Sequence, residues 1–200
     1  MPSTHDEFVL KSLGGLIGFC GAGGTGKTTV ANLLHQTKGV PLVPSSTRMV
    51  FKMLNLETEA DQEKLDSNGR KHLQTSIQQA YYDNLRAYPK GVSDRTPLDH
   101  WCYMLFYCGN DLSQEEVEAY RQRTAVTLQR FAYVFYFPLV TYPTHSDGMR
   151  KDGYGYRKAY DYLMQSALSD FGVPHYTMRV GPSPEEHVDN IWRLIASRAK

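Results

Sequence analysis

Short apolar runs alternate with amphipathic stretches along the chain, and this alternation indicates the secondary structure. The runs at 16–20 and 131–137 have the length and composition of buried parallel strands. Weaker strand signals lie at 40–44, around Val92 and at 175–180. Because helical stretches separate these strands, they should form a parallel sheet that helices cover on both faces. The sequence therefore predicts a three-layer α/β/α fold with a central sheet of about five strands.

Residues 61–88 carry the longest helical repeat. Apolar side chains recur there mostly at three- and four-residue intervals. Asn68-Gly69 is predicted to divide the stretch into two helices, and Pro89 to end the longer one. The polar side of this helix is rich in amides, among them Gln78. Such a face is usually only solvated, but beside a nucleotide pocket it could pair with the edge of a base.

The first apolar run leads directly into a glycine-rich loop, Gly21-Ala22-Gly23-Gly24-Thr25-Gly26-Lys27-Thr28. The loop fits the Walker A pattern G-x-x-x-x-G-K-[ST], in which successive backbone N–H groups turn inward and form a nest for anions. The helical spacing after the loop would point a helix N-terminus at the same anion. Lys27 could then reach the β- and γ-phosphates of a nucleotide, and the Thr28 hydroxyl could bind Mg²⁺. We predict that this stretch, extended to Thr29, binds a nucleotide.

A second motif, Asp94-Arg95, follows the weak strand signal around Val92. An acidic residue at the end of a strand beside a Walker A loop is the Walker B arrangement, in which Asp holds Mg²⁺ directly or through water. Arg95 could neutralise charge on the donor or the acceptor phosphate. No Glu follows Asp94, so the acid that ATP-driven motors use to activate water is missing. The motif therefore favours transfer to a bound acceptor over hydrolysis.

Two further side chains are candidates for the acceptor side. Arg48 follows the strand signal at 40–44, and ligands of open α/β sheets bind beyond the carboxyl ends of the strands. A solvated Arg in the first turn of a helix is an equally good interpretation. Thr96-Pro97-Leu98-Asp99 is a helix-capping signal, so Asp99 is most simply a cap acid. A contact between Asp99 and an acceptor is the less favoured interpretation.

A charged, glycine-rich segment at about 143–158 is predicted to form a small lid. It holds three glycines with charges of mixed sign, including Arg150 and Arg157. A basic, flexible loop that faces a phosphate site can deliver arginines to a transferring phosphoryl group and exclude water. An ordinary surface loop is the alternative.

Composition and charge narrow the class of protein. The chain has 200 residues and a formal net charge of +1, which suits one α/β domain and disfavours strong nonspecific binding to nucleic acid. It lacks an apolar run of about 18 residues, and its N-terminus is polar, so neither a membrane span nor a signal peptide is expected. We expect a cytoplasmic protein without a membrane partner. Its flexible leader at 1–12 would precede a single domain at 13–200.

Together these motifs resemble a known family. The Walker A loop, Asp94-Arg95-Thr96 and the Arg-bearing segment are similar to the P-loop nucleoside and nucleotide kinases of the thymidylate-kinase-like group. The stretch 93–99 and the turn at 147–150 look closest to small phage kinases and to ribosylnicotinamide kinases. The resemblance implies a P-loop NTPase fold with ATP and Mg²⁺ as cofactors.

The resemblance also implies roles for individual residues. Thr28 and Asp94 would sit at the metal, and Asp94 near the acceptor as well. Arg95 would position an acceptor or a phosphate, and Arg150 with Arg157 would act from the lid. Arg48 corresponds loosely to the acceptor-side Arg of nucleotide kinases.

The implied activity is a Mg²⁺-ATP-dependent kinase for a nucleotide-type acceptor, with a deoxynucleoside monophosphate as the first candidate. The first alternative is phosphorylation of a hydroxyl on a nucleoside or on a hydroxymethyl pyrimidine in phage DNA, for which Asp94 would be the base. A nucleotide-operated switch or binding module is the second, although the N-K-x-D element of guanine-specific switches is missing. The sequence leaves open whether the chain forms a homodimer.

Overall fold

The computed structural model describes residues 3–58, 60–139 and 153–199. The strands within these ranges are β1 Leu16–Cys20, β2 Gly91–Ser93, β3 Phe131–Tyr136 and β4 Tyr176–Thr177. The helices are α1 Thr4–Ser12, α2 Lys27–Lys38, α3 Thr47–Met53, α4 Ser67–Ala87, α5 Pro97–Cys108, α6 Gln114–Leu128, α7 Tyr154–Asp170 and α8 Pro184–Ala196. Short 3₁₀ helices lie at Asp61–Lys64 and Gly109–Asp111. No helix in the described ranges combines the length and the apolar character needed to cross a membrane.

The four strands form one parallel sheet in the order β2-β1-β3-β4. The strand expected at 40–44 is reduced to a single parallel bridge between Leu42 and Val92, at the β2 edge. Pro41 and Pro44 flank that bridge, and proline has no N–H with which to extend a ladder. The prediction of a parallel α/β sheet is confirmed, with four strands in the described part of the chain where about five were expected.

Helices cover both faces of the sheet. On one face, Ile17 and Phe19 of β1 pack in a buried cluster with α1, α2 and α8. On the other face, Val134 and Tyr136 of β3 pack in a cluster with α5, α6 and α7. Helices α3 and α4 share a further apolar cluster that includes Phe51. The sheet thus lies between two helical layers, as the predicted three-layer fold requires.

The prediction of a flexible leader at 1–12 is wrong, because α1 occupies Thr4–Ser12. Ser3 and Asp6 form a capping box, and Val9 is fully buried. Trp192 Nε1 also donates a 2.6 Å hydrogen bond to Asp6 Oδ1. A short helix that places little apolar surface in the core leaves a weak periodic signal, so its docking contacts decide its structure.

The predicted break at Asn68-Gly69 is also wrong. The 3₁₀ helix ends at Lys64, and Asp66 is the N-cap of α4, its carboxylate accepting a 2.7 Å hydrogen bond from the Gly69 backbone N–H. Asn68-Gly69 therefore lies inside the first turn of α4. The Asp cap satisfies an orphan N–H of that turn, which outweighs the turn preference of the Asn-Gly pair.

Candidate active site

The glycine-rich loop connects β1 to α2, as the Walker A pattern requires. Gly26 is the N-cap of α2 with φ 88°, a left-handed conformation that favours glycine. Gly21 has φ 131°, and a Cβ atom there would lie 2.3 Å from the Phe137 carbonyl oxygen. The predicted nucleotide-binding residues therefore run from the end of β1, through this tight loop, to Lys27, Thr28 and Thr29 in the first turn of α2. A loop of this form at a helix N-terminus is suited to bind an anion.

Lys27 is enclosed by the loop that it follows. Its Nζ donates to the carbonyl oxygens of Gly21 and Ala22 at 2.7 and 2.6 Å, and to Thr25 Oγ1 at 3.1 Å. The side chain is buried, and this burial together with the nearby charge of Arg95 lowers the pKa of Lys27 to about 7. Bound phosphates would stabilise the charged form of this amine.

Thr28 and Asp94 are brought together by the pairing of β1 with β2. Although β2 has only three residues, all are buried, and its register pairs Gly18 with Ser93. Asp94 follows directly, and Thr28 Oγ1 donates a 2.8 Å hydrogen bond to Asp94 Oδ2. The weak strand signal before Asp94 thus corresponds to a short, fully buried strand at one end of the sheet order.

This pair fits a magnesium ion. Hydroxyl and carboxylate oxygens are ligands that Mg²⁺ prefers, and Mg²⁺ commonly takes one or two carboxylates while substrate phosphates and waters complete its shell. Within the described residues there is no group of three or more His, Cys, Asp or Glu side chains that could hold a metal ion. Thr28 and Asp94 could therefore hold Mg²⁺ together with the phosphates of a nucleotide.

Arg95 is positioned by Asp99. Arg95 Nη1 donates to Asp99 Oδ1 at 3.2 Å and to the Gly21 carbonyl oxygen at 3.3 Å. Asp99 is fully buried, and its Oδ2 accepts hydrogen bonds from the Thr96 N–H and hydroxyl at 2.8 and 2.9 Å. The cap role predicted for Asp99 is confirmed by the capping box at the start of α5. Both carboxylate oxygens of Asp99 thus accept hydrogen bonds from groups of the protein, Oδ1 from Arg95 and Oδ2 from Thr96.

Arg157 also lies against the glycine-rich loop. It is in α7, 6% exposed, and its Nε donates a 2.9 Å hydrogen bond to the Gly23 carbonyl oxygen. Lys27, Arg95 and Arg157 thus place three cationic groups on the carbonyl side of the loop. These residues are far apart in the sequence, and the fold brings them together beyond the carboxyl ends of β1 and β2.

The rest of the predicted lid is only partly described. Arg150 lies outside the described residues, as does the rest of the segment before Gly153. The described end belongs to the first turns of α7, where the hydroxyl of Tyr156 contacts that of Tyr107 in α5. One face of α7 thus reaches the glycine-rich loop and also α5.

A cleft opens beside Asp94 and Arg95, between α3, α4 and α5. It encloses about 720 Å³ of empty space, including its open mouth. We call it the acceptor-side pocket. Its lining includes Arg48, in the first turn of α3, together with Gln74 and His100. Charged groups therefore line this pocket together with uncharged polar ones.

The amide in the acceptor-side pocket is Gln74, whereas Gln78 lies away from it. Gln74 Nε2 donates a 3.0 Å hydrogen bond to Gln62 Oε1, and both residues line the pocket. Gln78 is fully buried, and its Nε2 donates to the Tyr82 hydroxyl at 2.8 Å. The two glutamines are one helical turn apart, so periodicity could not choose between them.

No motif in the sequence singles out His100. It lies in the first turn of α5, where a lone histidine is most simply a core residue. In the structure it is 4% exposed and lines the acceptor-side pocket. Burial and the charge of Arg95 lower the pKa of His100 to about 3, so the ring is neutral at physiological pH.

A second cleft lies next to the glycine-rich loop. The segment from Met178 to Pro182 lines it together with Gly24, Val30 and His187, and it encloses about 670 Å³ including its mouth. No sequence motif marks that segment as part of a site. Only the parallel pairing of β4 with β3 brings it beside the loop.

Residues 16–185 match the family model AAA_28, which describes an AAA domain. The chain belongs to this family. A comparison of this AAA_28 chain with curated proteins gave no match.

Solved structures with the same fold include several kinases. NadR in complex with NAD and AMP-PNP is 16% identical with a TM-score of 0.66, and the match covers 98% of this chain. The chain spans only 52% of the length of that NadR. Deoxyadenosine kinase from M. mycoides, with the products dCMP and a flexible dCDP bound, is 17% identical with a TM-score of 0.68, covering 91% of this chain and 98% of that one.

Shikimate kinase from Acinetobacter baumannii in complex with shikimate is 16% identical with a TM-score of 0.57, and the match covers 93% of this chain and 96% of that one. At these identities the likeness concerns the fold. It confirms the resemblance to the P-loop nucleoside and nucleotide kinase superfamily and the α/β fold class predicted from the sequence.

Proposed function

We propose that this AAA_28 chain transfers the γ-phosphoryl group of ATP to a nucleotide-type acceptor, with a deoxynucleoside monophosphate as the first candidate. One observation carries the proposal. The glycine-rich loop and a separate pocket meet at Asp94 and Arg95. A hydrolase or a switch needs the loop but has no use for a second ligand pocket at the same carboxylate and guanidinium.

Phosphoryl transfer requires alignment of donor and acceptor and positive charge near the transferring oxygens. Lys27, Arg95 and Arg157 would supply that charge, since all three donate hydrogen bonds to carbonyl oxygens of the glycine-rich loop. Thr28 and Asp94 would hold Mg²⁺, which when bound neutralises charge on the phosphate oxygens. The cleft beside Met178–Pro182 would take the base of ATP, since it lies next to the glycine-rich loop.

In the transfer, the bond between the γ-phosphorus and the bridging oxygen breaks, and a bond from an acceptor oxygen to the γ-phosphorus forms. A monophosphate acceptor is already anionic and needs no base, and Arg48 and Arg95 would bind its charge. ADP and a diphosphate are then the products.

A nucleoside hydroxyl is the second candidate acceptor. It is supported by the position of Asp94, which lines the acceptor-side pocket and could take the hydroxyl proton as the bond forms. The fold shared with a deoxyadenosine kinase is consistent with the same acceptor class. A hydroxymethyl pyrimidine in DNA would use the same chemistry.

The test is to offer ATP labelled at the γ-phosphate with three panels of acceptors: nucleoside monophosphates, nucleosides, and DNA with and without hydroxymethyl pyrimidines. We expect label in a diphosphate product, and Asp94→Asn should abolish the transfer. Label in a nucleoside or in DNA would select the second candidate. Phosphate release at the same rate with and without every acceptor would contradict the proposal.

A further inference from the structure

The imidazole of His100 contains a buried polar atom that the fold does not satisfy. Within the described residues, His100 Nε2 has no hydrogen-bond partner, although the residue is buried and only 4% exposed. Buried polar groups in folded proteins are nearly always hydrogen-bonded, so such an atom calls for an explanation. The residue lies in the first turn of α5 and lines the acceptor-side pocket.

The neighbours of this ring have their hydrogen bonds directed elsewhere. The Tyr81 ring of α4 lies 4.3 Å from the His100 ring, centroid to centroid. Its hydroxyl donates instead to the Arg95 carbonyl oxygen at 2.8 Å. The pocket amides Gln62 and Gln74 bond to each other. The ring is therefore packed by its neighbours without being paired by them, and the pocket is the place from which a partner can come.

The chemistry of the ring limits what that partner can be. His100 is neutral at physiological pH, so Nε2 offers either one N–H donor or one lone pair and no charge. A phosphate or carboxylate would bind instead to the guanidinium groups of Arg48 and Arg95 in the same pocket. No cluster of metal-ligating side chains includes His100 in the described part of the chain, which argues against a metal ligand.

We propose that His100 is a specificity-determining residue whose Nε2 forms a hydrogen bond with an uncharged polar group of the acceptor, such as an amide, a hydroxyl or a ring nitrogen. The acceptor then lies with this group against α5 and its anionic or reacting end toward Asp94 and Arg95. The inference rests on the proposed function, because it takes the acceptor-side pocket as the binding site of the second substrate.

The first test is His100→Phe, which keeps a planar ring and removes both nitrogens. The KM for the acceptor should rise about tenfold, the loss expected for one hydrogen bond to a ligand, while the KM for ATP stays within twofold. The melting temperature of the free protein should be unchanged or higher, since an unsatisfied buried atom has been removed. His72→Phe is the matched control, because that imidazole is exposed and lines neither cleft; it should change none of these quantities.

An unchanged acceptor KM, or an equal rise in the KM for ATP, would overturn the inference. If His100→Phe does not fold, wild-type protein with ¹⁵N-labelled histidine decides the question, with His100→Gln used to assign the resonance. The Nε2 resonance should shift on addition of a nucleoside or monophosphate acceptor and stay in place with AMP-PNP alone. A shift without any transfer of label would keep the binding role and reject the kinase proposal, whereas binding without a shift would reject the role of His100.

Discussion

The glycine-rich loop and the acceptor-side pocket share Asp94 and Arg95, yet they are built in opposite ways. The loop is made by consecutive residues, and Lys27 is held by carbonyl oxygens of that same stretch. The pocket is made by α3, α4, α5 and the 3₁₀ helix, which come from separate parts of the chain. The loop contacts the Lys27 side chain mainly through main-chain carbonyl oxygens, whereas the pocket is lined by side chains.

This difference predicts how each region responds to substitution. Main-chain groups persist when side chains change, so the loop is sensitive chiefly at its glycines and at Lys27. The pocket should lose acceptor binding step by step as individual side chains are removed. Changes in the loop should therefore affect every acceptor, and changes in the pocket should alter which acceptor is used.

The largest effect is expected for Lys27→Met. Loss of the ammonium group removes charge stabilisation from the transferring phosphoryl group, so kcat/KM should fall by on the order of 10²–10³-fold with every acceptor. Arg48→Met, in the pocket, should raise the KM for a monophosphate acceptor and leave the KM for ATP unchanged. Steady-state kinetics with both substrates varied measures both effects.

Lys64→Met is the control for the loss of a lysine, since that side chain is exposed and pairs with Asp61 on the surface. Equal kinetic defects in Lys27→Met and Arg48→Met would show that the two regions do not act separately.

An intermediate effect is expected for Asp99→Asn, which lies where the two regions meet. The amide can still accept the hydrogen bond from the Thr96 N–H, but it loses the charge that holds Arg95. We expect kcat to fall about tenfold, which corresponds to about 1.4 kcal/mol. The free energy of unfolding, measured in urea, should fall by less than this amount. A lower free energy of unfolding with an unchanged kcat would refute a positioning role.

A smaller effect should distinguish the two glutamines of α4. Gln74→Ala removes an amide from the pocket and should raise the acceptor KM several-fold. Gln78→Ala breaks a buried hydrogen bond to Tyr82, and should lower the free energy of unfolding by about 1–2 kcal/mol with an unchanged KM. Each variant is the control for the other, and steady-state kinetics and urea unfolding are measured on both. A raised KM in Gln78→Ala together with an unchanged KM in Gln74→Ala would contradict the prediction.

The smallest signal is a proton taken up when ATP binds. The pKa of Lys27 in the free protein is about 7, below its ordinary value of 10.5, so the amine is mostly neutral at pH 8. Bound phosphates raise that pKa, and uptake of up to about one proton is expected. By the same linkage, Lys27 causes the free energy of unfolding of the free protein to rise with pH between about pH 7 and pH 10.5. In that range the unfolded chain binds more protons at this amine than the folded protein does.

Calorimetry at pH 8 in two buffers of different ionisation enthalpy measures the uptake. It should vanish below about pH 6, where Lys27 is charged in both states. An acceptor added alone should cause no uptake, since the neutral His100 does not change charge. Uptake with the acceptor, or none with ATP, would contradict the contrast between the two regions.

The elements that the sequence predicted well are those with local causes. The Walker A loop followed from one apolar run and a glycine pattern, and the cap at Thr96 followed from four consecutive residues. Asp94 was found although its strand has only three residues, because its motif lies beside the loop in any P-loop sheet. The helix α1 was missed because its stability comes from contacts with distant residues such as Trp192.

By itself, the sequence determined the strand–loop–helix of the Walker A pattern, the alternation that makes a parallel sheet, and the residues that cap the helices. These features depend on backbone geometry and on side chains within a few residues of one another. Only the tertiary structure decided that Gln74 rather than Gln78 faces the pocket, that Arg157 reaches Gly23, and that His100 keeps an unpaired nitrogen within the described residues. Helical periodicity indicates on which side of a helix a residue lies. It does not indicate where along the helix axis another element packs, so tertiary packing determines those contacts.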